Sequence, residues 1–205
     1  MATLTQPEAV TTTGADRLIE RFIPQADVTE CHETLVRAPA DVVFAVAQTL
    51  DFQSIPVVRA LIWLRTKLLR ATPPPTQVRP TGLVAETTAL GWGVLAERPG
   101  RELVMGAVTQ PWKGNVVFTP VVPKGFLAFS EPDLVKIVWT LEAEPLGPAL
   151  TRFRTETRVL ATDEEARRKF QSYWRWAKFG IVLIRRLMLP SLRREAERRQ
   201  QMRGS

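Results

Sequence analysis

The sequence has little of the chemistry that builds disulfide frameworks, metal sites and histidine-based catalysis. Its 205 residues include one cysteine, Cys31, and one histidine, His32. A single cysteine forms no internal disulfide, so nothing in the sequence demands an oxidising compartment. The two residues are neighbours in a predicted strand and point to opposite faces, and no second His/Cys cluster completes a zinc site. We predict no metal and no cofactor, interpret His32 as hydrogen-bonded locally, and name no catalytic residue.

Phosphate-binding glycine motifs and long apolar runs are also missing. The glycines of GWGVLAERPG (91–100) lack the spacing of a phosphate loop or a dinucleotide fingerprint, and we interpret them as permitting a bulge or bend in a curved sheet. In the stretch 173–199 the longest uninterrupted apolar run is FGIVLI, six residues, against the roughly 20 that span a bilayer. The start resembles no signal peptide. We therefore expect a cytoplasmic protein with a disordered or loosely ordered lead-in over residues 1–20.

Positive charge is concentrated at one end of the chain. The formal net charge is +7. From Asp163 onward there are 12 Lys and Arg residues against 5 Asp and Glu, whereas the preceding 162 residues carry 16 of each. A nucleic-acid-binding domain usually spreads positive charge over its reading surface, so the neutral body argues against that class. We predict no nucleic acid as partner, possible anionic membrane contact through a basic tail, and a monomer or homodimer.

Periodicity predicts an α+β protein. Residues 26–39 have the composition of a strand that an Ala-Pro pair ends, and 40–50 repeat apolar residues at helical spacing. A second helix is predicted over 54–70, before a Pro-rich loop over 71–82. From 83 to 161 the pattern is that of an antiparallel meander, with hairpin turns at Pro99-Gly100 and at PLGPA (145–149). Strands within 113–133 are left unplaced because that segment is rich in Pro and Gly.

The last predicted strand, 150–161, alternates strictly. Arg152, Arg154, Glu156 and Arg158 occupy one face, which we expect to meet water as a ladder of surface charges. Phe153, Thr155, Thr157 and Val159 occupy the other face, which we expect to point inward.

A long amphipathic helix should follow this strand. Thr162 with Glu165 has the spacing of a capping box, and apolar residues then recur every three or four positions to Met188. Arg175, Lys178, Arg185 and Arg186 should lie on the outer side of this helix or at its edges. Pro190 should kink or end it, which leaves 193–205 as a solvated, fraying basic tail beyond a single domain over 21–192.

This order of elements resembles the START-like (SRPBCC) superfamily. The residues that carry the resemblance are HETLVRAPADVVFAVAQTLDF (32–52), as strand, Ala-Pro and helix, and TRFRTETRVLATDEEARRKFQSYW (151–174), as last strand and helix. The resemblance covers roughly residues 27–192 and implies a helix-grip fold, in which a curved antiparallel sheet wraps a long C-terminal helix and encloses an apolar cavity. Members bind sterols, other lipids, hormones or polyketide intermediates, and a minority are enzymes.

Aromatic and polar residues with inward parity are the candidates for the cavity wall. The preferred ones are Trp139, Phe153 and Trp174, because strand alternation and helical spacing direct all three inward. Thr155 and Thr157 could orient a polar ligand atom or serve as ordinary strand residues. The complete predicted set is Trp92, Met105, Trp112, Phe118, Trp139, Phe153, Thr155, Thr157, Trp174 and Ile181.

Three functions compete at this stage. The first is binding or carriage of a hydrophobic small molecule, such as a lipid, a sterol-like or an aromatic polyketide-like compound. The second is an enzyme of the same fold, aromatase/cyclase-like or hydrolytic, for which His32, Thr155 and Thr157 are the available polar groups. The third is a peripheral membrane protein that uses the basic tail.

Overall fold

A single antiparallel sheet organises the protein. The computed structural model describes residues 17–51 and 82–203, together with Lys67. Within these residues the sheet contains five strands: β1 (Val28–Val36), β2 (Gly93–Arg98), β3 (Glu102–Thr109), β4 (Val135–Gly147) and β5 (Leu150–Ala161). Their order across the sheet is β1-β5-β4-β3-β2. The last four strands form the predicted meander, and β1 pairs with the last of them.

Helices cover both faces of this sheet. The described ones are a 3-10 helix (Leu18–Arg21), α1 (Ala40–Thr49), α2 (Leu83–Ala89), α3 (Pro123–Ala128) and α4 (Glu164–Arg203). α4 is 40 residues long and contacts β1, β4 and β5 as well as α1. This arrangement confirms the predicted α+β helix-grip architecture.

The inner face of the sheet packs on α1 and on the two ends of α4. Near α1, Phe153, Trp139 and Leu141 join a cluster that includes Leu192 and Ala196 of α4. Near the start of α4, another cluster joins Ile137 and Val159 of the sheet to Ala166 and Phe170 of the helix. The helix is therefore anchored at both ends.

The outer face is covered by the 3-10 helix and by α3. The first lies mostly in the predicted lead-in, and the second lies in the segment 113–133 where no strand was placed. Leu18 and Ile19 of the 3-10 helix and Phe126 of α3 are buried against outward-facing sheet residues such as Val104 and Val138. Residues 17–20 therefore belong to the folded body, and the predicted lead-in was wrong for them. In the previously unplaced segment 113–133 the structure has α3 and an isolated bridge between Val108 and Thr119.

A buried ion-pair network lies beneath this cover. Glu156 is 3% exposed and receives Arg158 Nε at 2.6 Å and Arg17 Nη1 at 2.7 Å. Arg17 also pairs with Glu142 at 3.0 Å, and Arg158 with Glu20 at 2.6 Å. The predicted water-facing ladder is therefore wrong at Glu156 and Arg158, because the 3-10 helix buries that part of the face. Alternation along a strand separates two faces but does not say that the charged one is solvated.

Residues 83–89 form a helix, α2, where the sequence predicted the beginning of a strand. Threonine has high strand preference, yet Thr87 Oγ1 donates to Leu83 O at 2.6 Å and Thr88 Oγ1 to Val84 O at 2.9 Å. These bonds satisfy both hydroxyls within the helix. Gly82, with φ of 107°, precedes the first helical residue. The predicted helix over 54–70 and most of the Pro-rich loop lie outside the described residues.

The beginning and the course of α4 also differ from expectation. Asp163, not Thr162, caps the helix, since its Oδ1 accepts from Ala166 N at 2.7 Å. The Thr162 hydroxyl instead donates to Leu134 O at 2.9 Å. The helix does not end at Pro190, which lies inside it. Proline removes one backbone donor in a helix interior, and a helix held by tertiary contacts on both sides of the proline can continue through it.

The basic C-terminal segment is part of the packed helix. Ala196 is fully buried in the cluster that contains α1, so the predicted solvated, fraying tail is wrong. Many of its charges are paired, as between Arg193 and Glu197 at 3.1 Å and between Arg199 and Glu195 at 2.7 Å. Membrane contact through this segment stays a prediction.

Candidate functional site: an apolar cavity with one buried arginine

A cavity of about 370 Å³ lies between the inner face of the sheet and α4. β4 and β5 supply one wall, the middle of α4 supplies the opposite wall, and α1 and α2 contribute Ala47 and Leu83. Strand parity explains the sheet side, because Phe153, Thr155 and Thr157 alternate with the outward residues of the ion-pair network. The helical side follows a stripe of residues three or four apart.

Eight of the ten predicted cavity residues line this space. They are Trp92, Phe118, Trp139, Phe153, Thr155, Thr157, Trp174 and Ile181. Their placement in the wall is a structural fact, whereas a role in holding a ligand stays a prediction.

Met105 and Trp112 do not line the cavity, and their prediction as wall residues was wrong. Met105 lies opposite Trp139 in the register of β3 and β4 and is completely buried in the core next to α1. Strand alternation correctly predicted that the Met105 side chain points to the inner face of the sheet, but neighbouring side chains separate it from the cavity. Trp112 packs against the cluster at the start of α4, outside the lining.

An aromatic corner forms at one side of the cavity. The ring centroid of Trp92 lies 5.1 Å from that of Phe118 and 6.4 Å from that of Trp139. Gly91 permits this approach: its φ is 100°, and a Cβ there would lie 2.2 Å from the carbonyl oxygen of Phe118. On the helical wall Phe170 and Trp174 stack at 5.6 Å. Flat aromatic surfaces therefore face the cavity from both walls.

Among the described residues that line the cavity, the charged side chain is that of Arg185, which the sequence placed on the outer side or edge of the helix. Instead it points from α4 into the cavity wall. Its Nη2 donates to Thr157 Oγ1 at 2.6 Å, and its Nη1 donates to Thr155 Oγ1. Burial lowers the pKa of Arg185 to about 10, although the charges of Glu30 and Cys31 act in the opposite direction. The group remains a cation at neutral pH.

The inward face of β1 borders this arginine. In the strand register Glu30 lies opposite Thr157 and His32 opposite Thr155. His32 Nε2 lies 2.9 Å from Glu30 Oε1, but without the geometry of a hydrogen bond, so this nitrogen has no hydrogen-bond partner among the described residues and does not form the predicted local hydrogen bond. Among the described residues, no carboxylate forms an ion pair with the Arg185 guanidinium. Glu30 acts on Arg185 through space only.

Sequence reasoning missed several lining residues, and Arg185 is the one with distinct chemistry. Other missed residues include Leu83, Ile137, Leu141, Tyr173 and Met188. A signal for Arg185 was present, because it stands four positions after Ile181 and three before Met188, on the same helical face. The prediction nevertheless placed Arg185 on the outer side or at the edge of the helix, because arginine is rarely buried without a partner.

The described residues include no group of three or more His, Cys, Asp or Glu side chains that could hold a metal ion. Among the helices that the structure describes, none is long and apolar enough to cross a membrane.

Comparison with known proteins adds little to this geometry. No protein-family model matches the sequence, and no curated protein matches it. A similar solved structure is the di-domain aromatase/cyclase BexL from the BE-7585A biosynthetic pathway, at 17% identity and a TM-score of 0.32, covering 83% of this chain and 46% of BexL. This chain therefore spans less than half the length of that protein.

Two further solved structures show a similar degree of likeness. The Zhui aromatase/cyclase from Streptomyces sp. R1128 has 15% identity and a TM-score of 0.28, covering 84% of this chain and 94% of Zhui. Hypothetical protein jhp0584 from Helicobacter pylori has 15% identity and a TM-score of 0.40, covering 92% of this chain and 99% of that one. Likenesses this distant carry no inference about what this chain binds or catalyses.

Proposed function

We propose that this protein binds a hydrophobic small molecule in the cavity between the sheet and α4. The observation that carries the proposal is the cavity itself, about 370 Å³ in volume with aromatic residues on both walls. Ligand sites in proteins are typically concave, mainly apolar and roughly 300–1,000 Å³ in volume, with a few placed polar groups. This cavity lies at the lower end of that range, which favours a ligand of modest size.

Energetics support the same proposal. Protein interiors are close-packed, and an empty apolar cavity costs stability because its lining atoms lose contacts. The surrounding elements could have closed this space with larger side chains. A ligand that fills it restores the lost contacts and buries additional apolar surface.

The proposal is tested by filling the cavity from the helix. Ile181 lines the cavity, and Leu183 is 41% exposed two residues later on α4. We expect Ile181→Trp to weaken binding of N-phenyl-1-naphthylamine, a neutral fluorescent hydrophobic probe, at least about tenfold, since overpacking removes its space. Leu183→Trp is the matched control and should bind as the unmodified protein does.

Native mass spectrometry of the purified protein provides an independent measurement. A bound small molecule of defined mass in the unmodified protein and in Leu183→Trp, but not in Ile181→Trp, would support a filled cavity. Failure of the unmodified protein to bind the probe, or equal binding by both variants, would contradict the proposal.

Catalysis in the same cavity is the second candidate, and the convergence of Arg185, Thr155 and Thr157 favours it. A buried guanidinium can polarise a carbonyl oxygen and stabilise negative charge that develops on it. Among the described lining residues, however, the titratable side chains are Arg185 and Tyr173, and neither is an effective base at neutral pH. Turnover of an identified ligand that survives replacement of Arg185, Thr155 and Thr157 by alanine would exclude these roles.

A further inference from the structure

Arg185, a half-buried residue, has different partners from Arg17 and Arg158. Arg17 and Arg158 each pair with two carboxylates at 3.0 Å or less on the outer face of the sheet. Arg185 has two neutral threonine hydroxyls instead. An ion in an apolar interior is costly unless a counter-charge compensates it.

Local carboxylates do not supply that counter-charge within the described residues. Glu30 lies on β1, next to β5, and acts on Arg185 only through space. The charge of Glu30 raises the pKa of Arg185, but burial lowers it by more. Glu30 therefore offsets only part of the cost of burying the cation. A guanidinium has five N–H donors, and the hydrogen bonds to Thr155 and Thr157 use two of them. The site therefore has both charge and donors to offer a bound molecule.

We propose that Arg185, held by Thr155 and Thr157, is the anchor for a carboxylate on the hydrophobic ligand. This inference rests on the proposed binding function and specifies its ligand as an apolar, aromatic-compatible monocarboxylic acid. A planar carboxylate matches the guanidinium fork in a bidentate pair. One cation balances one negative charge, which favours a monoanion over a phosphate dianion. The aromatic side chains Trp92, Trp139 and Trp174 contact the remainder of the ligand from the surrounding wall.

Two threonines fix the orientation of the Arg185 guanidinium. Thr155 and Thr157 lie on the same face of β5 and hold Nη1 and Nη2 of Arg185 respectively. A guanidinium fixed through both terminal nitrogens loses little additional side-chain entropy when a ligand binds. Arg185 is a binding residue on these grounds, and the two threonines are positioning residues.

The test uses a matched ligand pair, 2-naphthoate and the neutral 2-naphthamide, with the full-length protein at pH 7.5. Affinities are measured by calorimetry and by displacement of N-phenyl-1-naphthylamine. We expect the carboxylate to bind about ten- to a hundredfold more tightly than the amide, as a hydrogen-bonded charge does over its neutral counterpart. Arg185→Met should remove this preference for the carboxylate over the amide.

Arg186→Met is the matched control, because Arg186 is the adjacent residue and is exposed on the other side of α4. It should retain the full preference for the carboxylate. Thr157→Asp is a second variant, which gives Arg185 a permanent carboxylate 28 residues away in sequence and beside its Nη2 in space. It should lose the preference for 2-naphthoate over 2-naphthamide. Circular dichroism verifies the fold of each variant.

The outcomes separate the inference from the function on which it rests. Equal affinity for acid and amide in the unmodified protein, or a preserved preference in Arg185→Met, overturns the carboxylate anchor while the neutral probe still reports a binding cavity. Absence of binding by the neutral probe and by both naphthalenes overturns the proposed function and the anchor together.

Discussion

The two faces of β5 hold buried arginines in opposite ways. On the outer face, Glu156 joins Arg17 and Arg158 into a network of buried ion pairs beneath the 3-10 helix. On the inner face, one residue away in either direction, Thr155 and Thr157 hold Arg185 by neutral hydrogen bonds at the edge of a cavity. Among the described residues, the outer charges pair with one another, whereas Arg185 forms no ion pair. A balanced network contributes to structure, whereas an unbalanced charge in a cavity favours a ligand that completes it.

The largest expected effect on stability comes from removing a charge from the ion-pair network on the outer face. Glu156→Gln leaves Arg17 and Arg158 short of one negative charge in a buried site, and we expect the free energy of unfolding to fall by about 3 kcal/mol. Each arginine retains a second carboxylate, Glu142 or Glu20, which keeps the loss at the lower end of the range for buried pairs. Urea denaturation monitored by circular dichroism measures it.

The matched control for this change is Glu33→Gln. Glu33 is 53% exposed at its side chain and pairs with Arg154 on the same sheet face at 3.2 Å. An exposed pair contributes roughly 0–1 kcal/mol. Equal losses in Glu33→Gln and Glu156→Gln would show that the outer network is no more than a set of surface pairs.

Removing the charge of Arg185 on the inner face should raise the free energy of unfolding rather than lower it. Arg185→Met exchanges a buried cation for an apolar side chain of similar length, so we expect the protein without ligand to become more stable by about 1–2 kcal/mol. Arg186→Met should change stability by less than about 0.5 kcal/mol. A loss of stability in Arg185→Met comparable with that of Glu156→Gln would indicate that Arg185 has a structural role, and would remove the contrast between the two faces.

The smallest expected effect is the dependence of the outer network on pH. Burial by itself raises the pKa of Glu156, but hydrogen bonds from Arg158 and Arg17 outweigh it and the net shift is downward. Because the folded pKa lies below the unfolded one, this stabilisation is fully present above about pH 4.5 and is lost as the pH falls through the folded pKa.

The stability difference between the unmodified protein and Glu156→Gln should therefore narrow as the pH falls from 5 to 3. Urea titrations at pH 7, 5 and 3 provide the measurement. A difference that widens on acidification would reverse the assigned direction of the pKa shift.

Local patterns predicted most of the described architecture. The alternation in β5, the Ala-Pro ending of β1 and the apolar repeat of α4 each depend on neighbours a few residues away, and the structure bears these elements out. The same reasoning placed eight of the ten proposed residues in the cavity wall. It failed for residues 83–89, because a short stretch of apolar and threonine residues fits both a strand and a helix.

The remaining errors share a cause in long-range contacts. Pro190 lies inside a helix that packs on both sides of it, with Met188 and Leu192 buried. Glu156 and Arg158 are buried because residues more than 130 positions earlier cover them. No local window contains those partners, so propensity and alternation could not reveal them.

The sequence by itself determined which residues share a face, since periods of 2.0 and 3.6 follow from backbone geometry alone. It thereby established an antiparallel sheet with a long amphipathic helix and an aromatic inner surface. Only the tertiary structure decided which charged residues are buried and which of them lack a counter-charge. Burial depends on what packs over a face, and the chain that covers β5 and the helix that carries Arg185 to it are distant in sequence.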